Sequence, residues 1–258
     1  MVLRRLVERL RNENWTSVGI ELVIVVLGVF LGLQAQEWST RRQTEATAAE
    51  YAARLMDDFR SDFRFRSFLY EYYDDVRASN ERVLEALEGA SEMEDEALLV
   101  NAFRATQYIQ WYASPSTYGE LVSIGGVDLI RDESMRDLAR QVYAANLMQH
   151  IEDEGSEAPF RRAFRSVVPL SVQRALGQRC GDRQFDLGDL AVVTDPLDYP
   201  CETGLSPAEV EASLAALRGI EQLVPMLRLR VTEITTRMNA LRFSIRDIKG
   251  LLGRADAG

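Results

Sequence analysis

An unbroken apolar run, LVIVVLGVFLGL from Leu22 to Leu33, constrains this chain more than any other feature. On its own it is shorter than the roughly 20 residues a helix needs to cross a bilayer, so the flanks decide. Residues 17–20 extend it upstream, and Glu21 is its one charge. Trp15 and Trp38 bracket it, and tryptophan settles at membrane–water interfaces. Those two residues stand about 35 Å apart along a helix, slightly more than a hydrocarbon core of about 30 Å. Residues 17–38 are therefore expected to form a transmembrane helix whose partner is the lipid bilayer. Residues 1–16 form a short cytoplasmic tail and 39–258 a soluble helical domain. Two readings compete, a buried core helix and a cleaved signal peptide. Span length argues against the first. Against the second stand the poor Leu33 three residues before a cut after Ala35 and the long polar stretch ahead of the run. Within the run, Gly28 and Gly32 make Gly-x-x-x-Gly, a helix-packing pattern that lets two membrane helices approach closely. It is also frequent by chance in such helices.

Orientation follows from charge and cysteine. Arg4, Arg5, Arg9 and Arg11 precede the span and favour a cytoplasmic N-terminus, while Arg41, Arg42 and Arg54 after it reduce the bias. Cys180 and Cys201, the only cysteines, share one Gly/Pro-rich stretch. An even count in an irregular loop suits a disulfide formed in an oxidising compartment; two reduced thiols are the alternative. The expectation is a single-pass protein of the cytoplasmic (inner) membrane, N-terminus inside and C-terminal domain periplasmic.

The soluble part reads as all-α. No glycine or proline occurs between Leu33 and Glu88, so the span should run on into a long helix. Leu69, Tyr73, Val76, Asn80, Val83 and Leu87 alternate spacings of four and three, a heptad seam that Gly89 ends. A second helix is expected from Glu94 to about Tyr112, with Ala113–Ser116 as its breaker. A short one follows at Thr117–Ile124, turned by Gly125-Gly126. Asp132 caps a third main helix running to about Ile151, where Glu152–Gly155 reads as a solvated break. Pro159 to Leu176 is a further helical piece. Residues 177–205 form the one long irregular segment, with a possible short strand at Leu190–Thr194. Ser206-Pro207-Ala208-Glu209 is a capping box. From Leu227 through Val231, Ile234, Met238, Leu241, Ile245 and Ile248 to Leu252 the four-three rhythm returns, and Pro225 is expected to kink that helix. Two seams at opposite ends of the domain predict a helical bundle with coiled-coil-like first and last helices.

Few chemical functions fit. A net charge of −10 with no basic stripe gives nucleic acid no counterion-displacing face. His150 is the only histidine, and no Gly-x-Ser-x-Gly accompanies it; at a helix end it suits the dipole. Leu147 occupies the position where a di-iron Glu-x-x-His needs glutamate. No Cys-x-x-Cys, P-loop or dinucleotide motif occurs, so no cofactor, metal or catalytic residue is assigned and no enzyme is expected. The acidic pairs read as solvated faces and helix-end charges. Phe63, Tyr73, Tyr108, Trp111 and Tyr118 are candidates to line an apolar pocket; ordinary core packing is the competing reading.

Two stretches resemble a bacterial family of N-terminally anchored single-span proteins that carry a domain of unknown function. The first is ELVIVVLGVFLGLQAQEWSTRR, Glu21–Arg42. The second is STYGELVSIGGVDLIRDESMRDLARQVY, Ser116–Tyr143, with its Tyr-x-x-Leu, glycine and Leu-Ile-Arg. The resemblance implies membrane anchoring and helicity, and no reaction. The expected function is a membrane-anchored interaction protein, self-associating or bound to another membrane protein. The alternative is an extracytoplasmic ligand-binding or sensory module that works through a partner subunit, since the short N-terminal tail is too small for an output domain.

Overall fold

The computed structural model describes residues 15–110, 116–183 and 196–255, with side chains from residue 19. The fold is all-helical, with no strand among the described residues. Its helices are α1 (Trp15–Leu87), α2 (Asp95–Arg104), α3 (Thr117–Ser123), α4 (Glu133–Ala144), α5 (Leu147–Glu157), α6 (Pro159–Val167), α7 (Leu170–Arg179), α8 (Pro207–Arg218) and α9 (Leu223–Ala255), with a 3-10 turn at Val127–Leu129. The chain divides into two units, Met1–Ala53 and Arg54–Gly258.

In the first unit α1 carries the apolar run. Among the described residues it is the one helix long and apolar enough to cross a membrane. Its large side chains from Ile20 to Leu33 are all more than half exposed, Leu22 reaching 65%. Past the run the helix stays intact, and the Thr40 and Thr44 hydroxyls donate back to the Gln36 and Thr40 carbonyls.

The second unit has two cores. In one, Val83 of α1 meets Leu99 and Phe103 of α2, Phe160 and Phe164 of α6, Leu176 of α7, Leu214 of α8 and Leu227 of α9. In the other, Leu69, Tyr73 and Val76 of α1 pack with Met148 and Ile151 of α5 and with Ile234, Met238 and Leu241 of α9. The stripes at the two ends of the domain thus run through both cores and cover one another. Gly89 ends α1 at φ 74°, a left-handed position that glycine takes without penalty. The capping box at Ser206 and Glu209 forms as expected.

Several boundaries differ from the expectation. Helix α2 stops at Arg104, well short of Tyr112, because the Phe103 carbonyl accepts from the Thr106 amide, the Thr106 hydroxyl and the Gln107 side chain. The expected helix to Ile151 breaks at Asn146, which adopts φ 48°, a conformation asparagine tolerates. Helix α5 then runs straight through Glu152–Gly155, so that acidic stretch is helix and not a break. Gly155 is there for space: a Cβ would lie 2.6 Å from the Tyr108 Cβ. The piece from Pro159 divides at Val168-Pro169, since proline lacks an N–H and pushes its predecessor out of the helical region. The last helix is likewise two helices. Pro225 kinks nothing, because it sits in the first turn of α9, where backbone N–H groups have no helical acceptor. The expected Leu190–Thr194 strand and Ala113–Pro115 breaker lie outside the described residues.

Candidate functional site

Three groups of side chains stand apart from ordinary packing. The first is the anchor itself. A Cβ built at Gly28 or Gly32 meets nothing within 4 Å, so that face is open. Trp38 is 59% exposed and carries the Arg42 guanidinium 3.9 Å from its ring centroid. The Trp15 side chain lies outside the described residues.

The second is the cysteine segment. Cys180, just beyond α7, lies at disulfide distance from Cys201, with Cα atoms 5.5 Å apart. Non-covalent contacts hold the same stretch. Asp75 of α1 accepts from the Leu197 and Asp198 amides at 2.8 and 2.9 Å. Arg82 pairs with Asp198 at 2.5 Å. Buried Arg104 donates to the Cys180 and Tyr199 carbonyls and pairs with Asp198. The Glu96 carboxylate accepts from the Thr203 amide and hydroxyl, which hold its pKa below the ordinary glutamate value.

The third group lies inside the bundle. Arg230 of α9 is 3% exposed, and its Nη2 donates to the Gln107 carbonyl at 3.3 Å, while its Nε has no partner among the described residues. Arg161 of α6, 9% exposed, donates to the carbonyl of the preceding residue, Thr106, at 2.7 Å, and lies over the Tyr108 ring. The Tyr73 hydroxyl faces the Ile109 backbone without a well-formed hydrogen bond, and burial pushes its pKa up to about 12 against the pull of Arg230. Beside it Tyr72 donates to Asp182 at 2.7 Å. Burial raises the Asp182 pKa, and the Tyr72 bond and Arg161 oppose the rise.

A comparable polar layer sits further down α1. Arg66, 3% exposed, donates to the Ser244 hydroxyl and the Val142 carbonyl. Asp62 lies one turn away. Its pKa is raised by burial and held back by Arg66 and Tyr143. Tyr143 stacks between Phe59 and Tyr118. An open cleft of about 540 Å³ is lined by Arg54, Asp58, Thr117 and Glu120 among others. The Arg54–Glu120 pair and the Asp58 bond to the Thr117 amide already use its charged groups.

The aromatic pocket candidates are distributed, not gathered. Tyr73 is core, Tyr118 belongs to the stack, Tyr108 lies under Arg161, Phe63 is half-buried and Trp111 is outside the described residues. His150 is exposed in the first turn of α5, at the N-terminal end and not at the C-terminal end where a cation would suit the dipole. Among the described residues no group of three His, Cys, Asp or Glu side chains converges as metal ligands would. Sequence reasoning missed the buried charges, yet a signal existed. The first seam extends backwards without a break through Arg66, Asp62, Phe59 and Leu55, and Arg230 falls three residues after Leu227 and four before Ile234.

No protein-family model, curated protein or solved structure matches this chain.

Proposed function

We propose that the chain is a membrane-anchored helical interaction protein, held by residues 17–38 and associating through the anchor helix. One observation carries this. The apolar stripes of the second unit are used up within a single chain, whereas the anchor's apolar side chains and its Gly28–Gly32 face meet nothing. Small residues at that spacing permit close helix contact in lipid. The mutual cover of the two seams favours reading α1 and α9 as a coiled-coil-like antiparallel pair. The Cys180–Cys201 pair supports an extracytoplasmic domain and hence a cytoplasmic-membrane protein with its N-terminus inside. The resemblance to the single-span bacterial family agrees with this reading.

The test is crosslinking of single cysteines placed at residues 39–46, all exposed, in a chain lacking Cys180 and Cys201, in native membranes. A symmetric dimer crosslinks at positions three or four apart, tracing one helix face. Gly28→Leu with Gly32→Leu weakens that pattern. No crosslink at any position rejects self-association through α1. Protease added to spheroplasts separately tests orientation: full protection of the domain refutes an extracytoplasmic location.

A further inference from the structure

The arginines are spread unevenly along the chain. Between Glu157 and Asp182 there are five and no carboxylate, in a molecule of net charge −10. Three of the five are engaged. Arg161 is buried and donates to the Thr106 carbonyl. Arg162 pairs with Glu157 at 3.1 Å, and the Arg179 guanidinium lies against Gly204. Arg165 and Arg174 are exposed, and their side chains form no hydrogen bond or ion pair among the described residues. They share one corner. Gln173 of α7 donates to the Arg165 and Val168 carbonyls at 3.0 and 2.7 Å, which folds the start of α7 onto the end of α6. Leu170, four residues before Arg174 and on the same helix face, is 60% exposed there. An apolar side chain rimmed by unpaired cations suits contact with an acidic surface.

The chain itself carries the complement. Glu92 and Glu94 lead into α2, both exposed, and the Glu94 side chain makes no cap hydrogen bond. The Thr203 amide and hydroxyl bond the Glu96 carboxylate and so bring exposed Glu202 to the same place. Glu92, Glu94 and Glu202 form no ion pair among the described residues. The two patches cannot meet within one molecule. Helix α7 separates them by about 14 Å, with the corner at its start and, beyond its end, Cys180 against Cys201 beside the acidic patch. Two copies of a chain this negative repel in most orientations, and the apposition of corner and patch is attractive. Anchors in one bilayer meet at high effective concentration, so a small contact suffices.

We propose that the corner formed by Arg165, Leu170 and Arg174 docks on the Glu92, Glu94 and Glu202 patch of a second copy of this chain. Each copy offers both patches, so a two-fold pair makes the contact twice. This rests on the self-association reading and adds to it a contact outside the anchor helix.

The experiment is zero-length carbodiimide coupling of the full chain carrying Arg165→Lys and Arg174→Lys, in phosphatidylcholine vesicles, which offer no anionic headgroup. The substitutions keep the charges and supply amines, and Cys180 and Cys201 stay in place. Expected is a dimer-sized product whose amide bonds, mapped by mass spectrometry, join position 165 or 174 to Glu92, Glu94 or Glu202. The product is lost in about 1 M salt, where the screening length falls to about 3 Å. It is also lost when Glu92→Gln, Glu94→Gln and Glu202→Gln are added. All five positions lie on the surface, so the variants keep the fold. Anchor crosslinks at residues 39–46 without this product overturn the corner contact and leave self-association standing, whereas absence of both overturns both. Coupling only within one chain, coupling to other carboxylates, or a product unchanged by the three glutamine substitutions overturns the contact as well.

Discussion

The cysteine pair separates covalent from non-covalent restraint. Cys180 and Cys201 are 21 positions apart. In the chain-entropy view, closing a loop of that length removes about 11 cal/mol/K from the unfolded chain, or about 3 kcal/mol at 25 °C. For a domain of this size each 1 kcal/mol moves Tm by about 2–4 °C, so reduction, or Cys180→Ser with Cys201→Ser, is expected to lower Tm by about 6–12 °C. The folded segment should nevertheless stay in place. Asp75, Arg82, Arg104 and Glu96 hold it by contacts that do not involve sulfur. The assay is therefore double: thermal unfolding of the full chain with and without reductant, and hydrogen exchange at the Leu197 and Asp198 amides. Both amides donate to Asp75, and under conditions far below Tm they should remain protected after reduction. A Tm insensitive to reductant refutes the bond. A lower Tm accompanied by loss of protection at Leu197 refutes the claim that the carboxylate and arginine contacts suffice.

Other expectations follow from single side chains. Phe164, fully buried between Phe103 and Phe160, should cost about 3–5 kcal/mol as Phe164→Ala, read by denaturant unfolding; a loss below about 1 kcal/mol would mean that this core is loosely packed. The Glu96 pKa is depressed by the Thr203 hydroxyl and amide, so that contribution exists above the ordinary glutamate pKa and is lost as pH falls through the lowered one. Thr203→Val should move the Glu96 titration up toward its ordinary value in a carboxyl NMR experiment, and an unmoved titration contradicts the assignment. Arg66→Met removes the charge that holds the Asp62 pKa down against burial. The Asp62 pKa then rises further, and because a raised carboxyl destabilises as pH climbs through it, the cost of the substitution should be largest near neutral pH, about 2–4 kcal/mol, and shrink in acid. A pH-independent cost would show that the two charges do not communicate.

The apolar run, the uninterrupted α1 and the Ser206 cap were legible because each is local: a stretch without breakers, or a side chain bonding three residues away. The α2 end, the Asn146 break and the helical fate of Glu152–Gly155 were not. Each depends on something distant or on a competition that a motif does not display. Gly155 reads as a breaker until the Tyr108 ring is placed against it. Glu154 reads as solvated until Arg237 reaches it from α9. Pro169 and Pro225 show the same limit from the other side. One ends a helix and the other begins one, and only position relative to the first turn distinguishes them.

The seams carry the deeper lesson, because their periodicity was visible while their polar members were passed over. Along α1 the four-three spacing runs from Leu55 through Phe59, Asp62, Arg66 and Leu69 to Asn80 and Val83. A search for apolar repeats stops at Leu69, where the charges begin, although the inward face continues through them. An apolar stripe alone accepts many registers, since sliding one helix by a heptad still places leucine against leucine. The polar members are selective. Arg66 finds Ser244 and the Val142 carbonyl in this register, and a heptad slip would set it against Arg237 or Leu251 instead, with the Ser244 acceptor lost. Asn80 donates to the Ala105 carbonyl in the same way. Buried polar groups of this kind cost stability and reject alternatives, which accounts for Asp62, Arg66 and Asn80. The same holds for Arg230, which occupies an equally inward position and donates to the Gln107 carbonyl at 3.3 Å, a contact that a slip would break.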